Sequence, residues 1–500
     1  MYHLMHFRNQ YIITNSLARS PLPEWKQMSF GNHIAIHHHP VIETARHVSE
    51  QCEIAVIGFM LDADHPKSSN ADILQDLAVH RTFAAFLKAT FHYGGRYCLF
   101  YHNGEGTYIV PDALGLRELY YAFQADGFIC ASQAKLIHLV APQEPNDDRA
   151  YWEFIASTAF EQNEQAMIGE ATGYKHVLHL LPNHYLDLDQ QRAVRYFPVE
   201  EVCANAGLEA CIAFSTAKLQ GFFEAAWRRA PLIVPFTAGW DSRVTVAVSR
   251  ARKDRVQYFV NAAPQVAKSP PDVWVPQHLS QQLQLNFSVV DISPPEQVAA
   301  EFRKAFADSY DRPATKFLGG HYAIYQAFGN ALCVLTVGSE ITRQFYMVSS
   351  CASAARLAEI CQYPQSPYVV KQCHQWLDAV RSALAVSKMS MMDLFYWEQR
   401  IGNWGAHACT AGDIYRESVS LFNCRALLVT MLALRAKYRQ YDNRLYRGII
   451  AAAWQALLRA PINPPVTVKS RVLHLARRTG MYQKLKQIKY ATNRPWGLSR

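Results

Sequence analysis

The segment Pro231-Leu-Ile-Val-Pro-Phe-Thr-Ala-Gly-Trp-Asp-Ser-Arg243 changes character twice within thirteen residues. Its apolar run, Leu232 to Val234, reads as a buried parallel strand. The run breaks at Thr237, Ala238 and Gly239, and a helical segment starts near Asp241 and runs towards Arg252. Strand, tight loop and helix N-terminus leave backbone N–H groups unpaired and aimed at an anion. Thr237 and Ser242 add hydroxyl donors. Asp241 would repel a phosphate unless a divalent cation sits between them, so it reads as a Mg²⁺ ligand. The loop lacks the Gly-Lys-Ser/Thr ending of a Walker A sequence. An ordinary strand–turn–helix with Asp or Ser as N-cap fits the same residues.

The rest of the chain has to carry the decision. Five hundred residues make two to three domains of ordinary size more readily than one. Half of them are hydrophobic and 12% aromatic, which supplies packed cores and excludes disorder. No run of eighteen apolar residues is present, against a membrane span, and Met1 to Arg8 lack the pattern of a signal peptide. The eleven cysteines show no Cys-x-x-Cys pair. They suit buried free thiols in a reducing cytoplasm better than disulfides or zinc. His37-His38-His39 is a poor ligand set, because adjacent strand positions point to opposite faces. Net charge is +9, but from Leu434 to Arg500 fifteen Lys or Arg stand against one acidic residue, Asp442. That tail could meet nucleic acid, an anionic surface or a nucleotide. Val472, Leu473, Leu475, Tyr482, Leu485 and Ile488 make it amphipathic, so docking onto protein fits equally. Nucleic-acid binding has only this charge behind it and is disfavoured.

Before the loop, Ile12–Thr14, His33–Ile36 and Glu53–Gly58 read as strands. Asn70–Ala78 reads as a helix with Asn70 as N-cap. Gly94–Tyr101, a Gly104-Glu-Gly106 turn and Thr107–Asp112 read as a hairpin. Four motifs follow in order: Gly95-Arg96-Tyr97; Asp112, Gly115 and Leu119-Tyr120-Tyr121; Ala131-Ser-Gln-Ala-Lys135; and Leu181-Pro-Asn-His-Tyr-Leu186. Together with Thr237-Ala-Gly-Trp-Asp-Ser242, they resemble the asparagine synthetase B family. There the N-terminal pattern belongs to a glutaminase domain, and Ser-Gly-Gly-x-Asp-Ser is a pyrophosphate loop. Thr237 and Ala238 depart from that loop but stay small or hydroxylated. The family's glutaminase uses a Cys directly after the initiator Met, with its α-amino group as base. Tyr2 stands there, and the first cysteine is Cys52. The domain is expected to fold without hydrolysing glutamine.

After the loop, Val256–Asn261 and Asn286–Ile292 read as strands, and Val275–Leu285 as a helix. Strands alternating with helices predict a doubly wound parallel sheet with the ligand outside the strand C-termini. Ser269-Pro-Pro-Asp272 resembles the family's Ser-x-Asp segment. Leu332 to Arg343 occupies the place of its Ser-Gly-Glu-Gly-x-Asp-Glu loop, which helps to hold Mg-pyrophosphate. Glu340 matches the final Glu, whereas Thr336 and Ser339 replace the acidic positions. The resemblance implies that Glu340 takes over the metal and that Arg343 meets a phosphate or substrate carboxylate. Pairing of Glu340 with Arg343, three apart on a helix, fits as well. Asp393–Trp404 and Ser420–Asn423 resemble the helical part that walls the acceptor pocket, and Arg400 matches its Arg. Tyr396, Trp397 and Trp404 at helical spacing suit a core. Lys469 is the candidate for the family's catalytic Lys.

The resemblance thus implies two domains. Residues 1–204 form an α+β Ntn-hydrolase-like sandwich, inactive as a glutaminase. Residues 205–500 form an α/β doubly wound parallel-sheet PP-loop ATP pyrophosphatase domain with a helical C-terminal part and basic tail. Thr237, Ala238, Gly239, Asp241, Ser242 and Asp272 would hold ATP, and Asp241 and Glu340 would hold Mg²⁺. Glu340, Arg343 and Lys469 would act in catalysis. The expected activity is a cytoplasmic C–N ligase that adenylates a small-molecule, peptide or glycan carboxylate and passes it to ammonia or an amine. A homodimer is compatible with this reading. A non-catalytic nucleotide-binding or scaffold protein of the same fold is the alternative.

Overall fold

The computed structural model describes residues 2–16, 20–31, 33–125, 127–202, 207–262, 270–311, 317–351, 353–440 and 442–465. Ser269, Lys469 and the basic segment beyond Pro465 lie outside them.

Twelve strands among the described residues precede residue 200: β1 (Tyr11–Thr14), β2 (Lys26–Phe30), β3 (Ile34–His38), β4 (Thr44–Val48), β5 (Cys52–Leu61), β6 (Gly94–Asn103), β7 (Gly106–Pro111), β8 (Tyr120–Gln124), β9 (Gly127–Ala131), β10 (Leu178–His179), β11 (His184–Asp187) and β12 (Arg192–Arg195). They form two antiparallel sheets, in the orders β10-β8-β9-β1-β3-β2 and β12-β11-β7-β6-β5-β4. The sheets face each other across a core in which Tyr11, Ile13 and Phe30 of one meet Ala55, Phe100 and Ile109 of the other. Alternate residues of β5 and β6, among them Ile54, Val56, Leu99 and Tyr101, point away from that core into helices. Burial on both faces is why these strands are continuously apolar rather than alternating. The helix Asn70–Leu77 is capped by Ser69, not Asn70: Ser69 and Asp72 form a capping box. Asn70 is used differently, accepting from Met60 N at 2.9 Å and donating to Gly58 O at 2.9 Å, so it pins the helix to β5.

The second half is a five-stranded parallel sheet. Its strands are β13 (Leu232–Pro235), β14 (Gln257–Ala262), β15 (Phe287–Asp291), β16 (Leu332–Leu335) and β17 (Ser418–Ser420), in the order β15-β14-β13-β16-β17. Six helices matter for the site: α1 (Leu208–Arg229), α2 (Trp240–Val248), α3 (Pro271–Leu283), α4 (Ala300–Ser309), α5 (Leu318–Phe328) and α6 (Arg444–Trp454). Leu232 and Val234 point towards α1, α2, α3 and α6, while Ile233 points towards α4 and α5. The sheet is therefore covered on both faces, as a buried apolar parallel strand requires. The helix after the loop stops at Val248 and continues as a 3₁₀ segment, Arg250–Arg255, instead of running unbroken to Arg252.

Tyr2 starts a short helix, Tyr2–Met5, that lies on α4. Its hydroxyl donates to Asp308 Oδ2 at 2.6 Å, its backbone N–H to Glu301 Oε2 at 3.3 Å, and Lys304 sits over its ring. The residue in the expected nucleophile position is a docking contact between the halves.

The sandwich and the parallel sheet share a buried polar seam. Arg96 of β6 meets Asp413 at 2.5 Å and Glu417 at 2.8 Å, and Arg117 meets Glu417 at 2.6 Å. Glu417 immediately precedes β17, so these ion pairs tie the edge of the parallel sheet to the middle of the sandwich. Removing one partner strands the others in a low-dielectric interior. Arg96→Leu is therefore expected to destabilise the chain by about 3–5 kcal/mol in urea unfolding. A loss below about 1 kcal/mol, the range of a surface pair, would contradict the seam's role.

Candidate functional site

β13 and β16 are neighbours, but the chain leaves them in opposite directions, from β13 to β14 and from β16 to β17. The connections diverge and open a crevice at the strand C-termini, where parallel sheets take ligands. Thr237–Ser242 lines one side of it, and the 3₁₀ turn Ser339–Arg343 the other.

The loop after β13 folds as the strand–turn–helix read from the sequence, with Gly239 as an N-cap lacking a side-chain hydrogen bond. Its donors, however, are not free. Thr237 N donates to Ser242 Oγ at 3.1 Å, Ala238 N to Asp272 Oδ1 at 3.0 Å, and Gly239 N to Thr237 Oγ1 at 3.2 Å. The Thr237 and Ser242 hydroxyls are 3.0 Å apart. This corrects the expectation of unpaired N–H groups: the loop's own hydroxyls satisfy two of these donors and Asp272 the third. Asp272, at the start of α3, is a brace for the loop. Arg243 ties the same loop to the far C-terminal part, donating to the carbonyls of Ala460 at 2.7 Å and Pro461 at 3.1 Å.

Across the crevice, Arg343 pairs with Asp241 at 2.9 Å. This ion pair corrects the simple intrahelical Glu340–Arg343 pairing, since the turn is 3₁₀ and Arg343 reaches to the other loop. Asp241 Oδ1 and Glu340 Oε2 are buried with no hydrogen-bond partner. Burial pushes the Glu340 carboxyl up to about 7; the Asp241 carboxylate adds to this, and Arg343 opposes it. Two buried acidic oxygens beside a guanidinium are where a cation would be accepted. Mg²⁺ takes one or two protein carboxylates and completes its shell with water and phosphate oxygens, so this pair fits it.

Three features position Glu340. Gly338 has φ +94°, and a Cβ there would lie 2.3 Å from Leu114 Cδ1 of the sandwich, so only glycine fits. Tyr446 of α6 donates to Ser339 O at 2.8 Å and meets Thr342 Oγ1 at 2.9 Å. Arg439, held by Asp393 at 2.9 Å, donates to Thr342 O at 3.3 Å. Tyr396 also approaches: its hydroxyl is pushed well up by burial, with Glu340 adding to the effect. Its ring lies tilted against Phe345, with centroids 4.6 Å apart. Trp397 is core and donates to Ala113 O at 2.8 Å. Arg400 lies over Trp404 and meets Glu164 at 3.5 Å, away from the carboxylates. No local signal in the sequence marks Tyr446 or Arg439, which arrive from a distant helical segment.

No family model matches this chain, and no curated protein does. Among solved structures, it is similar to glutamine phosphoribosylpyrophosphate amidotransferase from B. subtilis in complex with ADP and GMP, at 10% identity and a TM-score of 0.24. That match covers 62% of this chain and 90% of the other. A structure described as the allosteric regulatory enzyme of purine biosynthesis matches at 12% identity and a TM-score of 0.24, covering 61% and 74%.

The raised carboxyl makes a stability prediction. An unfolded Glu340 loses its proton near 4.5, whereas the folded one keeps it to about 7. Folding stability is therefore lost as pH rises between those values. Without divalent cations, Glu340→Gln should match the wild type at pH 4 and exceed it at pH 8 by on the order of 3 kcal/mol. A pH-independent difference in unfolding midpoints would contradict the placement of Glu340.

Proposed function

We propose that the chain is an asparagine synthetase-like, ATP-dependent C–N ligase built on an Ntn-hydrolase-like sandwich and a PP-loop domain. The observation that carries this reading is the meeting of Asp241 and Glu340, with Arg343 between the loops, at the point where the parallel sheet reverses its strand order. Burying two carboxylates side by side is costly for a fold and useful for a Mg-nucleotide. In this reading Asp241 and Glu340 would hold Mg²⁺, which would supply charge neutralisation at the phosphates of ATP. Thr237 and Ser242 exchange their mutual hydrogen bond for phosphate oxygens, and the first-turn N–H groups of α2 face the same anion. Arg343 leaves Asp241 for the substrate carboxylate or the leaving pyrophosphate. The substrate carboxylate attacks the α-phosphorus, pyrophosphate departs, and an amine or ammonia displaces AMP. With Tyr2 docked on α4, the nitrogen comes from free ammonia or an amine substrate rather than from glutamine.

One observation favours the second reading, a non-catalytic nucleotide-binding or scaffold protein. Side chains already satisfy the loop's donors: Ser242 and Thr237 take the N–H groups of Thr237 and Gly239, and Asp272 of α3 takes that of Ala238. Pyrophosphate release from Mg-ATP separates the two. A panel of carboxylates with ammonium, including peptides and uronates, should give acid-dependent pyrophosphate that falls at least a hundredfold in Asp241→Asn, within the range of lost electrostatic stabilisation. ATP binding without pyrophosphate release from any acid would favour the scaffold.

A further inference from the structure

A second cavity, of about 460 Å³, opens where the sandwich meets the segment 145–174 and the C-terminal end of the π-helix Tyr396–Gly405. Its volume is in the range of small-molecule sites. Its walls are aromatic and apolar, with Tyr151, Phe160, Tyr174 and Met167 around the body and Trp152, 45% exposed, on the lining. Polar groups gather at one end: His179, Asn403, His407 and Asp311.

Two carboxylates, Glu118 and Asp311, stand with the two histidines at that end. Glu118 lies behind the two histidines, with Oε1 3.4 Å from His407 Nδ1 and 3.9 Å from His179 Nε2. Its carboxylate also accepts from Tyr120 Oη at 2.9 Å and Gln133 Nε2 at 3.3 Å. Burial works against its ionisation, yet His407 and His179 hold it ionised, at about 2. Asp311 accepts from the backbone N–H of Lys135 at 3.2 Å, and no ion pair joins it to a cationic side chain among the described residues. Lys135 Nζ is turned elsewhere, donating to Ala307 O at 2.8 Å and Tyr310 O at 3.1 Å at the end of α4. His179 stacks on Tyr120 and His407 on Tyr310, which fixes both rings.

We propose that this cavity binds a small organic ammonium ion carrying an aromatic or apolar group. The ammonium meets the Asp311 carboxylate, and the aromatic walls favour a cation and its apolar body together. Burial raises the Asp311 carboxyl to about 6, opposed by the backbone N–H and the charge of Lys135. An anionic ligand of the same shape would meet the Asp311 carboxylate, with the Lys135 ammonium already engaged by Ala307 O and Tyr310 O. The proposal stands independently of the ligase reading.

The test is calorimetric titration of the full chain with phenethylammonium chloride, against 3-phenylpropionate and 2-phenylethanol as charge-altered analogues. Phenethylammonium should bind once per chain, and the two analogues more weakly by roughly tenfold or more. Asp311→Asn should weaken the ammonium by a similar factor. Ala171→Leu, which narrows the cavity without altering charge, should weaken all three compounds and decides the location should Asp311→Asn fail to fold. The proposal is overturned by tighter binding of 3-phenylpropionate, by ammonium affinity unchanged in either folded variant, or by no saturable binding at millimolar concentration.

Discussion

The turn that follows β7 fixes the geometry of everything after it. Asp112 accepts hydrogen bonds from the backbone N–H groups of Tyr97 at 3.2 Å, Leu114 at 3.2 Å, Leu116 at 2.9 Å and Arg117 at 3.0 Å. A carboxylate satisfied by four donors can be buried where an unpaired one could not. The turn projects Leu114 against Gly338 and Arg117 onto Glu417. Asn423 closes the contact, accepting from Leu114 N at 2.9 Å and donating to Gly95 O at 2.6 Å. The sandwich thus acts as a template for the second half of the crevice. The Glu340 turn takes its shape from residues some two hundred positions away.

This arrangement gives the sandwich a structural role that needs no chemistry of its own. Of the motif residues, Arg96 meets Asp413 and Glu417 of the second half, and Gly95 O accepts from Asn423. Removing the sandwich would expose Asp413 and Glu417 and release Gly338. The same seam shapes the second cavity, because the π-helix that presents Tyr396 to Glu340 presents Asn403 to Asp311's side of the molecule. A wound-out helical segment of this kind re-aims side chains within a few residues, which is a common reason for its occurrence at functional sites.

What could be read from the sequence was local. Leu232–Val234, the small-residue loop and the helix from Trp240 follow from a short apolar run, permissive turn residues and helical spacing. The hairpin of β6 and β7 announces itself through Gly104-Glu-Gly106. The helix after Asn70 was legible too, although its cap was misplaced by one residue, because Ser69 and Asp72 form a reciprocal box that outcompetes a lone Asn. What could not be read was pairing across distance. Arg343 has two acidic neighbours to choose between, and only the parallel placement of β13 beside β16 selects Asp241. Likewise, the donors of the Thr237 loop look free until α3 brings Asp272 beneath Ala238.

The central claim is that Asp241 and Glu340 share one divalent cation with a nucleotide. Electron paramagnetic resonance of Mn²⁺ titrated into the full chain with and without ATP addresses it directly. The account predicts one tightly held Mn²⁺ per chain that requires ATP and is lost in both Asp241→Asn and Glu340→Gln. Mn²⁺-ATP binding that is indifferent to both substitutions would contradict it.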